Sequence, residues 1–211
     1  MTTTTPRDHR DLQAAVAQLL AAGTGPAEGA VEAVLHALRE RLALDVVFVA
    51  EFTGGRRVFR FVDRAPGALP VQPGASHELE LSFCQRVVDG RLPELVPDVA
   101  ALGPEVDLPP MPVRIGAHLG TPVVLGNGRI FGTLCCFSTA PRPDIDAQDL
   151  QALHDCARLV ARKLEAAEAQ GRIDPPLDSA RESPAVYRSE VWNLHGGWSL
   201  NLAAQRAWLG A

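Results

Sequence analysis

The chain has 211 residues, of which 46% are hydrophobic and 21% charged, a balance typical of a globular protein large enough to bury a core. Its net charge of −5 argues against partners that require a basic patch, namely nucleic acid and anionic membrane surfaces. No run of about eighteen apolar residues and no secretory signal is present, so we expect a cytoplasmic protein.

The first two predicted elements are amphipathic helices. A proline-containing start signal at Thr5–Asp8 precedes an N-terminal helix that ends at Gly23. A second start signal at Gly25–Pro26 opens the next helix. Its apolar residues recur at helical spacing and predict one buried face: Val31, Val34, Leu35, Leu38 and Leu42.

The hydrophobic pattern then changes to that of β-strands. Residues Val46–Phe52 are almost wholly apolar, which predicts a central strand covered on both faces. Gly54–Gly55 is a two-residue hairpin signal, and the returning strand runs over Arg57–Val62. After a loop rich in proline and glycine, Glu78–Leu81 is the next candidate strand.

Short elements fill the middle of the chain, and a second hairpin follows them. We predict a short helix over Phe83–Val88 and a brief strand at Leu95–Val96. The second hairpin joins Ala117–Leu125 to Arg129–Ser138 through a Gly-Asn-Gly turn. Asp146 is predicted to cap the last helix, with Asp149 three positions on as in a capping box. This order of elements favours an α+β fold in which helices pack on one face of an antiparallel sheet.

Five short blocks occur in one order between residues 82 and 138. They are Ser82–Cys84, Leu95–Asp98, Ile115–Val123, Gly126–Gly128 and Phe131–Phe137. As a set they resemble a bacterial GAF domain, over roughly residues 26 to 168. The resemblance implies a six-stranded antiparallel sheet with helices on one face and a ligand pocket on the other. It divides the chain into an N-terminal helix (1–25), a GAF domain (26–170), and a linker with an aromatic tail (171–211).

The resemblance also implies which side chains surround the pocket: Phe83, Cys84, Asp98, Arg114 and His118. Two interpretations of Cys84 stay open, a reactive thiolate at a helix start or a buried packing residue. Bilin-binding relatives often carry a Cys-His pair, whereas Gln85 follows Cys84 here, so we expect no bilin. Cys135 and Cys136 are neighbours on one strand and should face opposite sides of the sheet.

The other three pocket residues also have alternative roles. His118 is either a ligand contact, even a haem ligand, or a residue that fills an aromatic position. Asp98 either caps the following turn or accepts a hydrogen bond from a ligand. Arg114 either binds a carboxylate or phosphate or remains solvated. The four cysteines show no paired metal spacing, so no metal site is predicted, and no cofactor is identified.

These expectations favour a sensory domain over an enzyme, with an unidentified small-molecule ligand and a signalling partner. One alternative is a reductase of the free methionine sulfoxide type, which requires Cys84 to meet a strand cysteine. Another is a ligand-free dimerisation scaffold. We also expect a homodimer formed by the outer helices and the aromatic tail, because a large set of exposed apolar side chains normally marks an interface. Those of the tail are Trp192, Leu194, Trp198, Leu200 and Trp208.

Overall fold

A computed structural model describes residues 27–110 and 113–171 of the chain. The predicted N-terminal helix and the aromatic tail therefore lie outside the described residues, and their predictions stay untested. Within the described residues, two predicted long helices and both predicted hairpins form. The strands of the hairpins belong to one sheet.

The sheet has six strands, in the order β3-β2-β1-β6-β5-β4, and every neighbouring pair is antiparallel. The strands are β1 (Val46–Thr53), β2 (Arg56–Arg64), β3 (Ser76–Glu78), β4 (Leu95–Val96), β5 (Ala117–Val124) and β6 (Ile130–Ser138). This confirms the predicted α+β class and the six-stranded antiparallel sheet.

Three α-helices accompany the sheet in the described part of the chain: α1 (Ala27–Leu42), α2 (Phe83–Val88) and α3 (Ala147–Ala169). Helices α1 and α3 contact each other and the same sheet face, and the predicted apolar stripe of α1 is buried there. Asp146 and Asp149 form a capping box that begins α3, as predicted. The short helix α2 packs on the opposite face.

The sheet separates two apolar cores, because successive strand residues point to opposite faces. Val47 and Val49 of β1 belong to the core beneath α1 and α3, which we call the helix-side core. Phe48 belongs to the core on the other face, the cavity-side core. Cys136 lies in the helix-side core and Cys135 in the cavity-side core, which confirms that these two thiols face opposite sides.

Two local details decide where the strands of the first hairpin lie. Gly54 and Gly55 have φ values of 54° and 67°, the conformation that a two-residue hairpin turn requires. Strand β3 occupies Ser76–Glu78, so the prediction of a strand over 78–81 was wrong in position. Glu78 pairs with Arg56, the first residue of β2, and beyond that point the turn leaves no partner strand.

Candidate functional site

A cavity of about 570 Å³ lies on the sheet face opposite α1 and α3. Its wall combines residues of the sheet, helix α2 and the loops beside them, and is rich in aromatic side chains. The phenylalanines that line it are Phe48, Phe59, Phe83 and Phe137. The rings of Phe48 and Phe59 meet edge to face with their centroids 4.8 Å apart, so one wall of the cavity is a packed aromatic surface.

Arg57 of β2 is the charged group within this aromatic wall. Its side chain is buried, and its guanidinium carbon lies 4.7 Å from the ring centroid of Phe59 and 5.8 Å from that of Phe48. Its Nη1 lies 3.5 Å from the Cys84 sulfur, and its Nε is buried without a hydrogen-bond partner among the described residues. Sequence analysis did not identify Arg57, although its alternation with Phe59 along β2 was a usable signal.

Two thiols meet at the base of the cavity-side core. Cys84, the second residue of α2, and Cys135 of β6 are fully buried, with their sulfur atoms 3.6 Å apart. Burial alone raises the pKa of the Cys84 thiol. The hydrogen bond with Cys135 and the positive charge of Arg57 outweigh that effect and lower the Cys84 pKa below its ordinary value. Burial and the neighbouring Cys84 raise the pKa of Cys135, so Cys84 is the thiol that ionises first.

His118 of β5 is buried at the cavity wall, with its ring centroid 5.1 Å from that of Phe83. Neither ring nitrogen has a hydrogen-bond partner among the described residues. Burial, reinforced by the charge of Arg57, lowers the pKa of His118 to about 3, so the imidazole is neutral at physiological pH. Neutral imidazole carries one donor and one acceptor, and neither is satisfied within the described part of the chain.

Gly120 makes room for this imidazole. A methyl group added at Gly120 would lie 2.8 Å from Cε1 of His118 and 3.0 Å from the sulfur of Cys135. Gly120 and Cys135 are partners in the β5–β6 ladder. The position of His118 beside the thiol pair therefore depends on a residue without a side chain.

The structure brings together three of the five residues that the sequence placed around the pocket. Phe83, Cys84 and His118 lie on the cavity wall. Asp98 and Arg114 are not among the residues that line this cavity, and their roles as ligand contacts stay predictions. Asp98 accepts a hydrogen bond from the Ala100 amide at 2.9 Å and caps a short 3₁₀ helix over Val99–Ala101. The side chain of Arg114 is exposed to solvent.

Comparison with known families identifies this arrangement. The family model for the GAF domain matches residues 26–165. The chain belongs to the GAF domain family. None of the curated proteins matches its sequence. Within the part of this GAF domain that the structure describes, no group of three or more metal-ligating side chains is positioned to hold an ion. In that same part, no helix combines the length and apolar character needed to cross a membrane.

Solved structures share the fold at low sequence identity. The GAF domain of a Coxiella burnetii phosphoenolpyruvate-protein phosphotransferase is 17% identical, covering 79% of this chain and 99% of its own, with a TM-score of 0.64. The free methionine-R-sulfoxide reductase of Neisseria meningitidis, in complex with its substrate, is 15% identical (81% and 96% covered; TM-score 0.61). A phycoerythrobilin-bound GAF domain from a cyanobacterial phytochrome is 13% identical (77% and 98% covered; TM-score 0.59). At these identities the likeness shows the fold alone.

Proposed function

We propose that this GAF domain is a sensory module that binds a small molecule in the cavity beside His118. The observation that carries the proposal is the pair of unpartnered nitrogens on this buried side chain. A buried polar group without a hydrogen bond costs roughly 1–3 kcal/mol, so a fold that keeps one normally supplies a partner. A ligand that fills the cavity would provide that partner.

The size and lining of the cavity support the same proposal. Its volume of about 570 Å³ is within the usual range for small-molecule sites, which are mostly apolar with a few polar groups. The buried polar groups here are Arg57, Cys84 and His118, set among phenylalanine rings, while Arg56, Ser76, His77 and Glu78 lie at more exposed positions of the lining. A ligand-free scaffold whose own side chains fill the pocket is a weaker account, because a cavity of this size remains.

Signalling would pass through the sheet to the helices on its other face. Strands β1 and β6 contribute to both cores, so a ligand that shifts them also shifts the packing of α1 and α3. We propose that these helices transmit the change to a partner protein, and that the protein works in the cytoplasm as a homodimer. Phe83, Cys84 and His118 are the proposed ligand contacts from the sequence analysis, and Arg57 joins them from the structure.

The test is binding of an apolar fluorescent probe, N-phenyl-1-naphthylamine, to the wild type and two tryptophan variants. Ala75 lines the cavity, so Ala75→Trp should occupy probe space and weaken binding by at least about tenfold. Ala166→Trp is the matched control, because Ala166 lies on an exposed position of α3. Equal binding to all three proteins would contradict a ligand site in this cavity.

A second candidate function is thiol-dependent reduction of free methionine sulfoxide. The 3.6 Å separation between the sulfur atoms of Cys84 and Cys135 favours it, since the reaction needs two thiols that can meet. The Cys84 thiolate would attack the sulfoxide sulfur, and Cys135 would then displace methionine from Cys84. In balance, two thiols and methionine sulfoxide give one disulfide, methionine and water.

Mass spectrometry after incubation with free methionine sulfoxide separates the two functions. A reductase would release methionine and form a Cys84–Cys135 disulfide, and Cys135→Ser would abolish that product. Cys136→Ser is the matched control, because Cys136 lies in the helix-side core. Unreacted thiols in the wild type would eliminate the reductase and leave the sensory function standing.

A further inference from the structure

Arg57 differs from the other strongly buried charged side chains that contribute to the two cores or their edges. Arg39 pairs with Asp63 at 2.6 Å, Arg86 pairs with Asp107 at 3.1 Å, and the carboxylate of Glu51 pairs with Arg60. No carboxylate among the described residues forms a salt bridge with Arg57, which is only 7% exposed. Buried charges are normally paired, so the lack of a carboxylate partner, with only the Cys84 sulfur beside the guanidinium, is the unexplained feature of this site.

The aromatic rings partly compensate for the lack of a carboxylate partner for Arg57. Phe48 and Phe59 stabilise the guanidinium through cation–π contacts. Those contacts use the flat face of the guanidinium and give its N–H groups no hydrogen-bond acceptor. Nη1 is directed at the Cys84 sulfur at 3.5 Å, whereas the buried Nε has no partner among the described residues. A carboxylate is the group whose geometry best fits such an available edge.

We propose, on the basis of the proposed function, that the ligand is a small apolar carboxylic acid whose carboxylate accepts hydrogen bonds from Arg57. Its apolar body packs on the phenylalanine wall, and His118 supplies a further hydrogen bond. A single negative charge fits best, since Arg57 is the one buried cation on the described wall and His118 is neutral. Arg56 and Glu78 also line the cavity, but both are exposed and of opposite charge, so they add no net charge to the buried wall.

Cys84 is the internal competitor for the same guanidinium. A thiolate at Cys84 pairs with Arg57 when no ligand is present, and a bound carboxylate takes over that pairing. Binding of the acid should therefore return Cys84 toward its thiol form. The loss of the Cys84 thiolate is measurable as a decrease in absorbance at about 240 nm. A neutral ligand of the same shape would leave this absorbance largely unchanged.

The experiment compares three probes that share one aromatic body, by isothermal titration calorimetry at about pH 8. They are 1-naphthaleneacetate, its neutral amide 1-naphthaleneacetamide, and the dianion 1-naphthyl phosphate. The wild type should bind the acetate at least about tenfold more tightly than the amide, because the charged hydrogen bonds to Arg57 form only with the acid. The phosphate should bind more weakly than the acetate.

Three variants assign this preference to Arg57. Arg57→Met should bind the acetate and the amide with equal affinity, while its affinity for the amide stays within about threefold of the wild type. Arg57→Lys should keep part of the preference, because it retains the charge and loses the planar edge. Arg64→Met is the matched control: Arg64 lies at the exposed end of the same strand, outside the cavity, and should behave as the wild type.

The outcomes separate the ligand class from the proposed function. If the wild type binds the amide as tightly as the acetate, or binds the phosphate most tightly, the carboxylic-acid proposal is overturned while the small-molecule site stands. The proposal also fails if the preference survives in Arg57→Met or disappears in Arg64→Met. If no probe binds the wild type, the proposed sensory function and the ligand class fail together.

Discussion

His118 shows how one residue can link the cavity to the stability of the fold. Its imidazole is buried, with no hydrogen bond to either nitrogen among the described residues, and it faces the charge of Arg57 together with the thiols of Cys84 and Cys135. The chain tolerates this arrangement although an apolar ring of similar size would pack there without an unsatisfied group. A residue kept at a cost to stability is a reasonable candidate for ligand contact.

The pH dependence of unfolding tests this environment. The folded protein lowers the pKa of His118 to about 3 from its ordinary 6.5, so the unfolded chain binds a proton that the folded protein refuses. The contribution of His118 to stability is complete above pH 6.5 and is lost as the pH falls toward 3. Between about pH 8 and pH 5, the wild type should lose about 2 kcal/mol more of its unfolding free energy than His118→Phe.

Urea denaturation of the two proteins at both pH values measures this difference. Because both proteins contain all the other titratable groups, their contributions cancel when the two are compared. One such group is His77, whose pKa is also lowered by burial and by the charge of Arg57. Parallel loss of stability in both proteins would show that His118 is protonated or solvated in the folded state.

At the scale of the elements, the pairing of β1 with β6 holds the two cores together. Gly132 of β6 lies opposite Glu51, and a methyl group at Gly132 would lie 1.9 Å from the carbonyl oxygen of Ala50. That oxygen belongs to the backbone of β1, which cannot move without disturbing the ladder. Gly132→Ala should therefore destabilise the protein by about 3 kcal/mol or more, as judged by urea denaturation.

The same glycine-to-alanine substitution should stabilise the protein at Gly29, the opposite of its effect at Gly132. Gly29 is exposed on α1, and a methyl group there would meet no atom within 4 Å. Because alanine restricts the unfolded chain and favours helix, this variant should gain about 0.5–1 kcal/mol. Similar unfolding free energies for the two variants would contradict the close approach of β1 and β6.

For the whole molecule, the prediction concerns the association of two copies of the chain. Among the described residues, Leu81 is the one large hydrophobic side chain that is exposed. The other large apolar side chains in that part of the chain are more than half covered. The predicted interface draws on residues outside that part, namely the N-terminal helix and the tail with Trp192, Trp198 and Trp208. We expect the full chain to be a dimer, because three tryptophans in one short tail normally bury their surface.

Light scattering of the full chain and of a chain truncated after Gln170 tests this prediction at micromolar concentration. A dimer that becomes a monomer on truncation would assign the interface to the tail. A dimer that survives truncation would assign it to the helices alone. Two monomers would show that the tail packs on its own domain and that the homodimer prediction is wrong.

Signals confined to neighbouring residues were readable from the sequence. The Gly54–Gly55 turn, the Asp146–Asp149 capping box and the apolar stripe of α1 depend on residues a few positions apart, so sequence analysis identified each of them. The five short blocks, taken in their order along the chain, indicated the GAF fold through their resemblance to that family. The alternation of Cys135 and Cys136 followed from strand geometry alone.

The composition of the site was decided by the tertiary structure. A register shift pairs Val49 with Phe61 and Ala50 with Phe59, so Phe59 faces the cavity while Phe61 packs against the helix-side core. Strict alternation along β2 would have placed both rings on one face. The approach of Cys84 to Cys135, 51 positions apart in sequence, depends on how α2 settles on the sheet. Distances between separate elements are fixed by packing, which no local pattern encodes.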